Sequence, residues 1–131
     1  MTNKILWADD DADDLMLMKE ILIRNKKNYE IVEVHNGKEA LDFLKRSKEE
    51  ENLPCLIILD INMPVMDGKE TLSVIKRTDD YSKVPVVVFT TSSSELDKLF
   101  CRKFDVEMIT KPPYYNSLET AVMRLLNFCN E

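Results

Sequence analysis

Apolar residues recur along this chain with two alternating periods. Short runs rich in Val, Ile and Leu occupy Lys4 to Ala8, Glu30 to His35, Cys55 to Leu59, Val86 to Phe89 and Val106 to Thr110. The first, third and fourth are nearly continuous in apolar side chains, the pattern of strands covered on both faces. Between the runs the spacing lengthens to that of a helix. Leu15, Met18 and Leu22 form one stripe, Leu41 and Leu44 a second, and Leu72 and Ile75 a third. Leu96, Leu99, Phe100 and Phe104 make a fourth, and Leu118, Val122, Leu125 and Cys129 a fifth. Strand–helix alternation repeated five times predicts an α/β fold, a sheet of parallel strands with helices on both faces. Right-handed crossovers then bring the carboxyl end of every strand to one edge, where open α/β sheets bind ligands.

That edge collects the chain's chemistry. The first strand ends in Asp9-Asp10, the third in Asp60, the fourth in Thr90-Thr91 and the fifth in Lys111-Pro112. Three converging carboxylates repel one another unless a cation sits among them. Hard oxygen ligands in small number suit Mg2+. Lys111 adds a point positive charge, and Thr90 or Thr91 a hydroxyl donor. Metal, ammonium and hydroxyl around one carboxylate are what stabilises a transferring phosphoryl group. Asp60 is then the nucleophile, since a carboxylate can form an aspartyl phosphate.

Composition narrows the classes. A chain of 131 residues, 44% hydrophobic and 32% charged, reads as one ordinary globular domain. Its formal net charge of −6 argues against nucleic acid, whose phosphates bind clustered Lys and Arg. The amino terminus does not read as a signal peptide, and the apolar runs are too short to span a bilayer. The cysteines Cys55, Cys101 and Cys129 are dispersed and odd in number. They suit buried thiols in a reducing cytoplasm better than a disulfide or zinc site.

Together the segments ILWADDD, LIILDINMPVMDG, VPVVVFTTSS and ITKPP strongly resemble the receiver domain of two-component response regulators, in the manner of a stand-alone chemotaxis receiver. The resemblance runs from residue 4 to about residue 128. It implies a flavodoxin-like, doubly wound sheet in the order 2-1-3-4-5 with five helices, a single receiver domain over residues 1–131 and no output domain. It implies Asp60 as phosphoacceptor, Asp9 and Asp10 as the acidic metal pair, and the backbone carbonyl of Asn62 as a further ligand to Mg2+. Thr90 resembles the switch hydroxyl and Lys111 the phosphate-pairing lysine, aimed by a cis Lys111–Pro112 bond. The implied donor is a histidine kinase or histidine phosphotransfer protein, and the signal passes by contact to a downstream protein. Such a chain assists its own phosphorylation and dephosphorylation rather than acting as an enzyme.

The other acids of ADDDADD have simpler work. Asp11, Asp13 and Asp14 fit capping of the first helix and its dipole. A calcium loop starting at Asp9 fails, because its sixth position is Asp14 where the turn wants glycine. Asp67-Gly68 reads as a turn and N-cap, and His35 as a surface residue. Met16 and Ile23 lie on a stripe offset from the core stripe and are candidates for docking. Two functional alternatives stand beside the receiver. A small aspartate-nucleophile phosphatase normally wants a second carboxylate two residues on, where Asn62 sits. A degenerate receiver that only binds protein would not need the full set of Asp9, Asp10, Asp60, Thr90 and Lys111. Two positions depart from the family pattern. Met108 stands where an aromatic is common, and Phe104-Asp105 replaces a small Gly-Ala pair. Met108 is expected to soften the usual aromatic coupling.

Overall fold

The computed structural model describes residues 2–130. Five strands, β1 (Lys4–Ala8), β2 (Glu30–Val34), β3 (Leu56–Leu59), β4 (Val86–Thr90) and β5 (Glu107–Thr110), form one sheet in the order β2-β1-β3-β4-β5. Every neighbouring pair is parallel. The helices α1 (Ala12–Arg24), α2 (Gly37–Glu49), α3 (Gly68–Arg77), α4 (Glu95–Lys103) and α5 (Tyr115–Leu126) fill the crossovers, and a 3-10 turn (Asn127–Asn130) follows α5. This is the doubly wound, flavodoxin-like arrangement that the periodicity and the resemblance predict. Among the described residues no helix is long and apolar enough to cross a membrane.

Alternation along the strands makes two cores, because successive side chains point to opposite faces. Ile5, Trp7, Leu56, Ile58, Val87 and Phe89 face α1 and α5. Leu6, Ala8, Ile57, Leu59, Val86 and Val88 face the other way, toward α2, α3 and α4. Trp7 meets Phe89 edge-on across β3, ring centroids 6.3 Å apart. The register pairs Ala8 with Leu59, so Asp9 and Asp60 leave the sheet at the same level.

Helix α4 turns only part of its predicted apolar stripe inward, with Phe100 and Phe104 packed against the core. Leu96 is 73% exposed and Leu99 54%, while Asp97 and Cys101 are buried. The helix is rotated because Asp97 is held from inside, as described below. The cysteines also depart from expectation. Cys55 and Cys129 form a disulfide, their Cα atoms 5.0 Å apart, and Cys101 alone is a free buried thiol. The turn after α5 brings residue 129 beside the start of β3, a juxtaposition that sequence separation conceals.

The chain has only two glycines, and neither is needed for backbone freedom, since both have negative φ. Gly68 is needed for closeness. A Cβ there would strike the carbonyl oxygen of Asp60 and lie 2.8 Å from the Cα of Ile61. Three helix ends that favour glycine use other residues instead. Lys26, Glu51 and Asp105 have φ of 57°, 54° and 56°. Each closes a Schellman motif, as where Val106 N–H donates to the Cys101 carbonyl and Asp105 N–H to that of Arg102. Asp105 therefore serves as the cap where the family commonly has a small pair.

These two observations predict opposite effects. Glu51→Gly relieves a left-handed conformation at an exposed site and should raise stability by about 1 kcal/mol. Gly68→Ala drives a methyl into the backbone behind Asp60 and should cost about 1–3 kcal/mol. Urea denaturation of both variants checks the pair.

Candidate functional site

The site begins with strand ends. Asp9 N–H donates to the Val34 carbonyl at 3.0 Å, and Asp60 N–H to that of Ala8 at 2.9 Å. Lys111 N–H donates to the Thr90 carbonyl at 2.7 Å. Asp9, Asp60 and Lys111 are thus each one ladder step past the sheet, the backbone still held while the side chain clears the strand, and Thr90 is the last residue of β4. Asp9, Asp60, Thr90 and Lys111 are all buried, and Asp10 is exposed.

The Lys111 ammonium is the hub. Its Nζ donates to Asp9 Oδ2 at 2.5 Å, to Asp14 Oδ2 at 2.9 Å and to Asp60 Oδ2 at 3.2 Å. Burial alone would lower the lysine's pKa. The hydrogen bond to Asp9, the field of Asp60 and the hydrogen bond to Asp14 outweigh burial and hold it above its ordinary value. Asp9 responds in the opposite sense. Burial pushes its carboxyl up to about 6 against the pull of Lys111 and the Asp11 N–H. At neutral pH the pair is therefore ionised, with burial and attraction opposing one another.

One carboxylate oxygen from each of Asp9, Asp10 and Asp60 lies within 4.8 Å of the other two. Three hard oxygens, one of them on a solvent-facing residue, fit a small divalent cation that keeps some of its water. The other Asp60 oxygen, Oδ1, accepts the N–H of Ile61 at 2.7 Å, which fixes the carboxylate plane.

Asp14 lies in the first turn of α1 as its sequence position predicts, and it has a further contact that sequence does not show. Asp11 is the N-cap of α1, accepting the N–H groups of Asp13 and Asp14. Asp14 turns its own carboxylate to Lys111. No pattern in ADDDADD distinguishes Asp14 from Asp13, because the difference is which side of α1 faces β5. The Lys111–Pro112 peptide is trans, where the resemblance implied cis. Trans is the preferred form by about 0.5–1 kcal/mol, and Lys111 reaches all three acids without the isomer change.

A second network joins residues that no pattern in the sequence links. Ser92 N–H donates to Thr90 Oγ1 at 3.2 Å, and Ser92 Oγ donates to Asp97 Oδ2 at 2.6 Å. Lys69, on the first turn of α3, pairs with the other Asp97 oxygen. Hydrogen bonds from Lys69 and then Ser92 hold the Asp97 carboxyl below its usual range. This chain of contacts joins Thr90 to α4 and α3, and it explains the rotation of α4. His35 is exposed beside Glu39, as expected of a surface residue, and Asn62 is exposed just past Asp60. Met16 and Ile23 are exposed on α1.

Residues 5–123 match the response regulator receiver domain family. The response regulator Rcp1 of Synechocystis sp. is 40% identical over 95 residues, which is 71% of this chain and 65% of that protein. The chain thus spans a little under two-thirds of that relative. Among solved structures, the phosphorylated cyanobacterial phytochrome response regulator RcpA superposes with a TM-score of 0.89 at 31% identity, over 100% of this chain and 96% of that one. The Mn2+-bound form of Rcp1 superposes with a TM-score of 0.84 at 33% identity, over 95% of this chain and 92% of that one.

The hub generates a prediction about stability. Lys111→Met strands Asp9 and Asp60 in a buried site without their cation, and should cost about 3–5 kcal/mol. Millimolar Mg2+ should return part of that loss. Thermal melts with and without the ion measure both effects.

Proposed function

The chain belongs to the response regulator receiver domain family, and we propose that it accepts a phosphoryl group on Asp60 from a phosphohistidine of a histidine kinase or histidine phosphotransfer protein. The observation that carries this reading is the Lys111 ammonium, hydrogen-bonded to both Asp60 and Asp9 at the shared strand edge. The Asp60 carboxylate, its plane fixed by the Ile61 N–H, attacks phosphorus. A P–O bond forms as the donor's P–N bond breaks, and the imidazole departs. Lys111 can then turn a donor from a carboxylate to a phosphoryl oxygen. The Thr90 hydroxyl, now an acceptor from Ser92 N–H, has its proton free to donate to a second.

Side chains of Asp9, Asp10 and Asp60 and the backbone carbonyl of Asn62 would hold Mg2+, which would neutralise charge developing on the phosphoryl oxygens. Movement of Thr90 would be felt through Ser92 and Asp97 at α4, where Leu96 and Leu99 lie exposed to a downstream protein. In this reading the chain is a phosphorylated substrate of a cytoplasmic relay that assists its own reaction, not an enzyme. An aspartate-nucleophile phosphatase is less well supported, because Asn62 offers no acid or base where that chemistry needs one.

Acetyl phosphate with Mg2+ should add one phosphoryl group to the wild-type chain, seen by intact mass, and none to Asp60→Asn. Equal labelling of that variant would refute the assignment. Separately, Mg2+ should raise the melting temperature of the wild type by mass action, and Asp10→Ala should abolish most of that rise.

A further inference from the structure

A lysine ammonium has three N–H donors, and at Lys111 each meets a different carboxylate. No donor is spare. On the phosphoacceptor reading above, on which this inference rests, a phosphoryl group on Asp60 inherits the donor now given to Asp60 and gains a further one only by displacing Asp9 or Asp14.

The three acids are not equivalent. Asp9 and Asp60 belong to the cluster able to hold a cation, and Asp14 does not. Asp9 and Asp60 side chains are 1% and 11% exposed, while that of Asp14 is 28% exposed. Asp14 borders an open cleft that Lys111, Leu17, Pro112 and Tyr114 also line. Nor does α1 need its carboxylate as a cap, since Asp11 serves there. The Lys111 side chain is itself only 6% exposed and is held by Asp9 and Asp60 as well as by Asp14.

We propose that Asp14 is a built-in competitor for Lys111. Its carboxylate takes the lysine donor that a phosphoryl oxygen would otherwise receive, and it places a negative charge near where the phosphoryl anion arrives. Asp14 is thus a positioning residue that weakens the site's hold on the phosphoryl group. Both effects have the same sign. Neutralising it removes a rival acceptor and a repulsive charge together.

The test titrates the Mg2+-saturated protein with beryllofluoride, an anionic phosphoryl mimic, following backbone amide shifts. Asp14→Asn should bind on the order of tenfold more tightly than wild type, as expected for removing one charge about 6 Å from an anion. Asp14→Ala should tighten binding likewise. Asp13→Asn removes the same charge from the neighbouring residue, whose side chain makes no bond to Lys111. It should change affinity by less than about twofold, screened as an exposed charge is. A merely structural contact, once lost, would not tighten anion binding. Unchanged or weaker binding by both Asp14 variants overturns the proposal, and so does equal tightening by Asp13→Asn. Absence of beryllofluoride binding by the wild type would overturn the phosphoacceptor reading itself, and this inference with it.

Discussion

One ammonium group organises the functional edge of this protein. Lys111 arrives from β5 and meets carboxylates carried by β1, α1 and β3. Two of those acids are buried, and like charges at that separation would not stay together without a counter-charge. Burial works against ionising Asp9, while the lysine works for it. Such a balance is weak evidence for stability, because desolvation can cancel the attraction. What the arrangement does secure is position, since three carboxylates on separate elements converge on one ammonium.

The backbone around the site is packed to the same end. Gly68 opens α3 directly behind Asp60, where any side chain would push the Asp60 carbonyl. Asp67 caps that helix by accepting the Glu70 N–H, as Asp11 caps α1 and Asn36 caps α2. Short polar caps let each helix start within a few residues of a strand end. They keep the loops of the site short, and so keep its side chains in register with the sheet.

Thr90 is tied to the rest of the molecule by a different kind of contact. Thr90 connects to α4 and α3 through Ser92, Asp97 and Lys69, a run of hydrogen bonds rather than a packed ring. Polar chains of this kind have discrete arrangements, since a hydroxyl that turns toward one acceptor leaves another. Met108, half-buried on β5 beside Val88, can fill space left by such a turn in several rotamers.

Much of this was legible in the chain itself. Period-two and period-3.6 patterning sets which residues enter the two cores, and handed crossovers send the ends of β1, β3, β4 and β5 to one edge. Asp9, Asp10, Asp60, Thr90 and Lys111 follow from their positions at those ends, because each apolar run gives way to polar residues there. The rotation of α4, the pairing of Cys55 with Cys129 and the turn of Asp14 toward Lys111 were decided elsewhere. Each depends on how an element is rotated or laid against another distant in sequence, by contacts that leave no local period. Leu96 and Leu99 have helical spacing but face solvent, because Lys69 and Ser92 draw Asp97 inward. Asp13 and Asp14 are adjacent and identical in type, and only the seat of α1 beside β5 makes one a helix-end charge and the other a ligand of the central lysine.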